Sequence, residues 1–180
     1  GDMLAGLGLQ YGSAEAIEFA VNVQKTLAVE AYRSSVEMAG ERGPFPIYNA
    51  EKERSNPMIL RIKAQDPELY EQMVKVGRRN VSMLTIAPTG SVSLMTQTTS
   101  GIEPVFRPYY KRRKKVNPND KNVNITYKDD VGDCFEEFYV FHHHFLTWAA
   151  TQGITKEEIY KMTDDQIDAL AARSPYHNAS

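Results

Sequence analysis

The chain has 180 residues, 42% hydrophobic and 24% charged, and its 21 basic and 23 acidic residues leave a formal net charge of -2. With a mean hydropathy of -0.47 it reads as a soluble globular protein, and it lacks the basic excess of a dedicated nucleic-acid domain. No apolar run approaches the roughly 20 residues of a membrane span, nothing at the start resembles a signal peptide, and a single cysteine excludes an internal disulfide framework.

The expectation is one cytoplasmic domain over residues 1–180, long enough to bury about 70% of the surface of its unfolded chain. With Gly rather than Met at position 1, it is expected to be a piece excised from a longer protein.

In chain order, helix signals outnumber strand signals. Ser13 can cap a helix running to about Ala39, with Glu15 in its first turn, Ile17, Ala20, Val21, Ala28 and Ala31 on one face, and Gly40 as its stop. Gly43-Pro-Phe-Pro breaks the chain. Asn56-Pro57 and Asp66-Pro67 have the cap-then-proline form of two further helix starts, the second helix ending at Gly77. Val81 to Ala87 alternates too little for a solvent-facing strand and is short enough for one buried on both faces. From Cys134 to Gln152 an aromatic-rich stretch fits a helix closed by Gly153. Thr155-Lys-Glu-Glu and Thr163-Asp-Asp-Gln are capping boxes that open two short helices.

Between these elements lies the stretch with the most chemical content. A strand that stops at Pro88 and restarts as a helix near Ser91 aims the unpaired N–H groups of the first helical turn beyond the strand end, with the helix dipole behind them. Pro88 ends the strand, Gly90 lets a ligand approach the backbone, and Thr89, Ser91 and Ser93 offer hydroxyls. The residues alone fit two readings, an anion site for a phosphate or an ordinary capped turn, since this is neither a Walker A nor a Rossmann fingerprint.

Leu84 to Phe106, reading LTIAPTGSVSLMTQTTSGIEPVF, resembles a segment of the catalytic subunit of ribonucleotide reductases, above all the adenosylcobalamin-dependent class II branch, whose versions read much like IAPTGTIS followed by SSGIEP. Asp2-Met-Leu-Ala-Gly-Leu-Gly-Leu, Gly77-Arg-Arg-Asn-Val and Ser174-Pro-Tyr-His-Asn-Ala-Ser are similar to further segments of that family. The resemblance implies a predominantly helical α/β fragment, with few short strands, of a ten-stranded barrel that makes deoxyribonucleotides by radical chemistry. It implies that Ala87, Pro88, Thr89, Gly90, Ser91, Val92 and Ser93 hold the phosphates of a ribonucleotide substrate, diphosphate or triphosphate. It also implies adenosylcobalamin as cofactor, the rest of the parent chain as partner, and a thioredoxin-like or glutaredoxin-like reductant. That reaction needs a radical cysteine and a reducing cysteine pair. The lone Cys134 lacks the family's Asn-x-Cys-x-Glu surroundings, so no catalytic residue is expected here and the fragment alone is expected to be inactive.

Other features weigh less. Three consecutive helical histidines, His142 to His144, would point about 100 degrees apart and could not share one metal ion. Glu103 in Gly-Ile-Glu-Pro reads as a structural acceptor holding its loop against the turn. Lys111-Arg-Arg-Lys-Lys115, after Tyr109 and Tyr110, is a solvated loop or interdomain contact, or a contributor to phosphate or cofactor binding. Its rival use is as a nucleic-acid-binding module, and a non-catalytic structural paralogue is a second alternative.

Overall fold

The computed structural model describes residues 1–117, 120 and 123–177. They form two compact units. One comprises Ile17–Ala87, the other Gly1–Ala16 together with the chain from Pro88 onward.

The Ile17–Ala87 unit is helical. Ser13 Oγ accepts the Ala16 N–H, 3.1 Å away, and opens α2 (Ala14–Arg42), which follows the short α1 (Asp2–Gly6). The stop is Gly43 and not Gly40: Gly43 takes the left-handed φ of +79° that ends a helix, and its N–H bonds back to Ala39 O. The buried face also differs from the expected one. Ile17 and Val21 are exposed and Ala20, Ala28 and Ala31 only half-buried, while the buried side chains of α2 are Ala16, Tyr32, Ser35, Val36 and Ala39. After α3 (Ala50–Glu53) come α4 (Pro57–Gln65) and α5 (Pro67–Val76), each with proline in its first turn. As the sequence predicts, Asn56 caps Met58 N–H and Asp66 caps Leu69 N–H, and Gly77 ends α5. Ile59, Ile62, Leu69 and Met73 join Tyr32 and Val36 in the core.

The strand expected over Val81 to Ala87 does not form. This stretch joins no ladder, and Ile86 is 96% exposed. A strand buried on both faces exists only with neighbours to pair and cover it, and the described residues supply none to this segment.

In the second unit α6 (Gly90–Thr96) precedes a three-stranded antiparallel sheet of β1 (Tyr109–Lys115), β2 (Tyr127–Lys128) and β3 (Cys134–Phe141), ordered β1-β3-β2. Two sequence expectations are corrected here. The basic run is a strand, and the helix drawn from Cys134 is a strand as far as Phe141, with helix α7 only over His143–Thr151. Cys-Phe-Glu-Glu-Phe-Tyr-Val-Phe is rich in the aromatic and β-branched residues that favour strands, and its acids face the basic run, Arg113 opposite Glu137 and Lys114 opposite Glu136. Both capping boxes are present, Thr155 with Glu158 on α8 (Lys156–Ile159) and Thr163 with Gln166 on α9 (Asp164–Ala172). Phe145, Ala149, Ile159 and Leu170 form the centre of this unit's core, with Tyr109 and Phe141 packed against it from the sheet. No helix among the described residues is long and apolar enough to cross a membrane. Of the C-terminal motif, Asn178, Ala179 and Ser180 lie outside the described residues.

Candidate functional site

The unit boundary falls between Ala87 and Pro88, so the turn from Pro88 to Ser93 lies in the unit with the sheet. Thr89 immediately precedes α6 in the left-handed region, φ 45° and ψ 29°. Its hydroxyl does not cap the helix but donates to Ser100 O at 2.8 Å. The first bond of the helix runs from Ser93 N–H to Thr89 O, 2.9 Å, so the helix itself makes no use of the N–H groups of Gly90, Ser91 and Val92. Of the hydroxyls read as donors, Thr89 is committed to Ser100 O and Ser93 donates to Gly90 O at 2.7 Å, while Ser91 makes no hydrogen bond among the described residues. The donors left for an anion are therefore mainly backbone amides. A Cβ built on Gly90 meets nothing within 4 Å, so the approach is open.

No side chain of α6 is buried, and Leu94 and Met95 are 80% and 87% exposed. The helix closes on Gln97, a second left-handed residue, φ 56°. A cleft of about 370 Å³ flanks it, lined among others by Ser93, Leu94, Gln97, Arg107, Tyr110 and His143.

The loop after α6 is tied down by a residue to which the sequence reading gave no role. Thr99 N–H donates to Asp2 Oδ2 at 3.0 Å, and Asp2 N–H donates to Thr99 Oγ1 at 3.1 Å. His142 Nε2 lies 2.9 Å from Asp2 Oδ1 and His144 Nε2 3.9 Å from Oδ2. His142 is the extended residue before α7 and not part of it, which lets it and His144 converge on one carboxylate. Among the described residues no three His, Cys, Asp or Glu side chains gather to hold a metal ion. Glu103 is exposed and makes no hydrogen bond among the described residues, so the loop is held through Thr99 and Ser100 instead.

The basic run is largely neutralised in place. Lys111 pairs with Asp164 at 2.6 Å, Arg113 with Glu137 at 2.6 Å, and Lys115 with Asp133. The hydrogen bond to Asp164 raises the Lys111 pKa, and Lys111 followed by Tyr139 lowers that of Asp164. Arg112 and Lys114 have no ion pair among the described residues. Tyr109 donates to Asp168 at 2.6 Å, and burial followed by that bond pushes its phenol well above the usual range. Cys134 opens β3 half-buried, Sγ 3.9 Å from Gly132 O.

Arg78 was also missed. It is buried against the rings of Tyr32, Phe45 and Tyr48, forms a two-pronged ion pair with Glu53, and donates to Asn80 O at 3.1 Å. Its partner lies 25 residues away, and no local pattern marks the pair.

A family model described as "Ribonucleotide reductase, barrel domain" matches residues 1–174, and the chain belongs to that family. Its relatives include two proteins named Vitamin B12-dependent ribonucleoside-diphosphate reductase. That of Mycobacterium tuberculosis is 34% identical over 106 residues, 58% of this chain and 12% of the relative, and that of Thermoplasma acidophilum is 33% identical over 106 residues, 58% and 11%. Ribonucleoside-diphosphate reductase subunit alpha of Treponema pallidum is 25% identical over 116 residues, 63% and 14%. The matched stretch is thus a small part of each relative's length.

Proposed function

We propose that this chain is part of the catalytic subunit of an adenosylcobalamin-dependent ribonucleotide reductase, and that its Ala87–Ser93 turn holds the 5'-phosphates of the ribonucleotide substrate. The observation that carries this is the run of backbone N–H groups at Gly90, Ser91 and Val92, unused by the helix and open to solvent, in a chain whose family match covers them. The relatives' names support both the nucleotide substrate and the B12 dependence.

In this reading the turn's work is electrostatic positioning. Amide donors and the positive end of α6 hold a phosphate, and the ribose is thereby fixed against cysteines from other parts of the parent chain. Residues 1–180 form one segment of a ten-stranded barrel domain, and Val81 to Ala87 gains its strand neighbours there. Adenosylcobalamin, when bound, supplies the radical. Among the described residues no three His, Cys, Asp or Glu side chains gather at one point, and no contact to the cofactor is assigned to this chain. A thioredoxin-like or glutaredoxin-like protein restores the reducing cysteines, in the cytoplasm. The nucleic-acid alternative is weakened by the three ion pairs that occupy Lys111, Arg113 and Lys115.

The test is turnover of ribonucleoside diphosphates by the full-length parent protein with adenosylcobalamin and a dithiol. Cobalamin-dependent deoxyribonucleotide formation is expected. Product only with a radical-supplying small subunit would overturn the cofactor assignment, and no product under either condition would favour the non-catalytic paralogue. In the active parent, Gly90→Val fits the open space at that position yet places a branched side chain in the phosphate's path, and loss of substrate binding is expected. Unchanged binding would show the turn to be only a cap.

A further inference from the structure

Asp2 is a first-turn helix residue, and by itself that would make it a surface charge favourable to the helix dipole. Its side chain is instead only 9% exposed, and a carboxylate buried to that degree is costly unless donors surround it. The donors come from far along the chain. Thr99 N–H reaches Oδ2, and because a carboxylate only accepts, His142 donates through its Nε2–H to Oδ1. The return bond from Asp2 N–H to Thr99 Oγ1 holds Thr99 on both sides, across 97 residues of sequence.

The next residue connects this clamp to the turn. Ser100 O accepts the Thr89 hydroxyl, and Thr89 sits in the left-handed conformation that a β-branched residue adopts only when its surroundings impose it. Among the described residues that bond is the side-chain tether of Thr89, and α6 buries no side chain and has no side-chain cap. We propose that Asp2 is a positioning residue for the phosphate-binding turn, acting through Thr99 and Ser100 on Thr89. This rests on the reading of the turn given above. Asp2 touches no substrate. It fixes where the Thr89 carbonyl starts α6, and with it the direction of the Gly90, Ser91 and Val92 amides.

The experiment uses the full-length parent enzyme and a ribonucleoside diphosphate, with kcat and KM read separately. Asp2→Ala is expected to raise KM about tenfold with kcat within about twofold, because a phosphate grip shared by ground and transition states acts on KM. Asp2→Asn keeps an acceptor for Thr99 N–H and is expected to return KM to within about threefold of the parent. Thr89→Val is expected to raise KM similarly, and the Asp2→Ala/Thr89→Val double variant to be no worse than the weaker-binding single, as for two steps on one path. If Asp2→Ala does not fold, Thr99→Val replaces it in the cycle, with the same non-additivity expected.

Parental KM in Asp2→Ala, additive effects in the cycle, or a rise in KM that Asp2→Asn does not reverse would each overturn the proposal. Gly90→Val separates this failure from that of the underlying reading. Binding lost in Gly90→Val with parental KM in Asp2→Ala overturns the role of Asp2 alone, whereas unaffected binding in Gly90→Val overturns the phosphate turn and the role of Asp2 with it.

Discussion

Helices α6 and α9 lie in the same unit and are similarly short, seven and nine residues, yet they are held in opposite ways. α9 starts from a complete capping box and buries Ile167, Leu170 and Ala171. α6 has left-handed residues at both ends, no side-chain cap and no buried side chain, and it is fixed by Thr89 on Ser100 O and by the Asp2–Thr99 clamp behind that bond. Burial places α9 and leaves its ends satisfied. Polar tethers place α6 and leave its first amides uncommitted, which is the arrangement a ligand-binding segment requires, since such segments come from the less packed parts of a fold.

The contrast can be broken by removing apolar groups from either region. Phe145 is fully buried between the rings of Phe141 and Trp148, so Phe145→Ala is expected to cost about 3–5 kcal/mol, seen as a fall in the urea midpoint followed by Trp148 fluorescence. Ile167→Ala on α9 is expected to cost about 2–5 kcal/mol and Leu94→Ala on α6 less than about 0.5 kcal/mol. Equal costs would mean that α6 is packed after all. The helix ends sharpen the comparison at a smaller scale. Thr163→Ala removes half of the α9 box and is expected to lose about 1 kcal/mol. Gln97→Gly relieves a left-handed non-glycine residue and is expected to raise stability by about 1 kcal/mol, so a lowered melting temperature would show that the Gln97 side chain holds the end of α6.

The same division separates what was legible in the sequence from what was not. Caps are local: Ser13, Asn56, Asp66, Thr155 and Thr163 each act on an amide two or three residues ahead, and each was read correctly. Strand pairing is not local. The aromatic residues after Cys134 fit a helical spacing as well as a strand's composition, and the pairing with β1 and β2 alongside decides for a strand. Val81 to Ala87 had a strand's composition but has no pairing partner among the described residues. Of the turn, the start of a helix at a glycine was legible, whereas the strand expected before it does not form and the hydroxyls of Thr89 and Ser93 bond within the chain. The residues that hold it, Asp2, Thr99 and His142, were not, because 97 and 140 residues separate Asp2 from its partners.

The smallest expected effect concerns charge at a helix start, where α5 and α6 differ again. Asp66 accepts from Leu69 N–H at 2.9 Å and from Arg33 at 2.6 Å, and these contacts, the Leu69 N–H first, hold its carboxyl below the usual carboxylate range. A group whose folded pKa is depressed stabilises through its ionised form. Its contribution is complete above the unfolded chain's carboxylate range and disappears as the pH falls through the lower folded value. Asp66→Asn keeps a good capping residue but removes the charge and its pairing with Arg33. The melting temperature of Asp66→Asn is therefore expected to lie slightly below that of the parent at neutral pH and to converge with it in acid. A gap that widens on acidification would reverse the assigned sign. The start of α6 has no acidic residue in its first turn and no carboxylate cap to titrate, so on the proposed reading of the turn its counterpart of this effect is the charge of a bound phosphate.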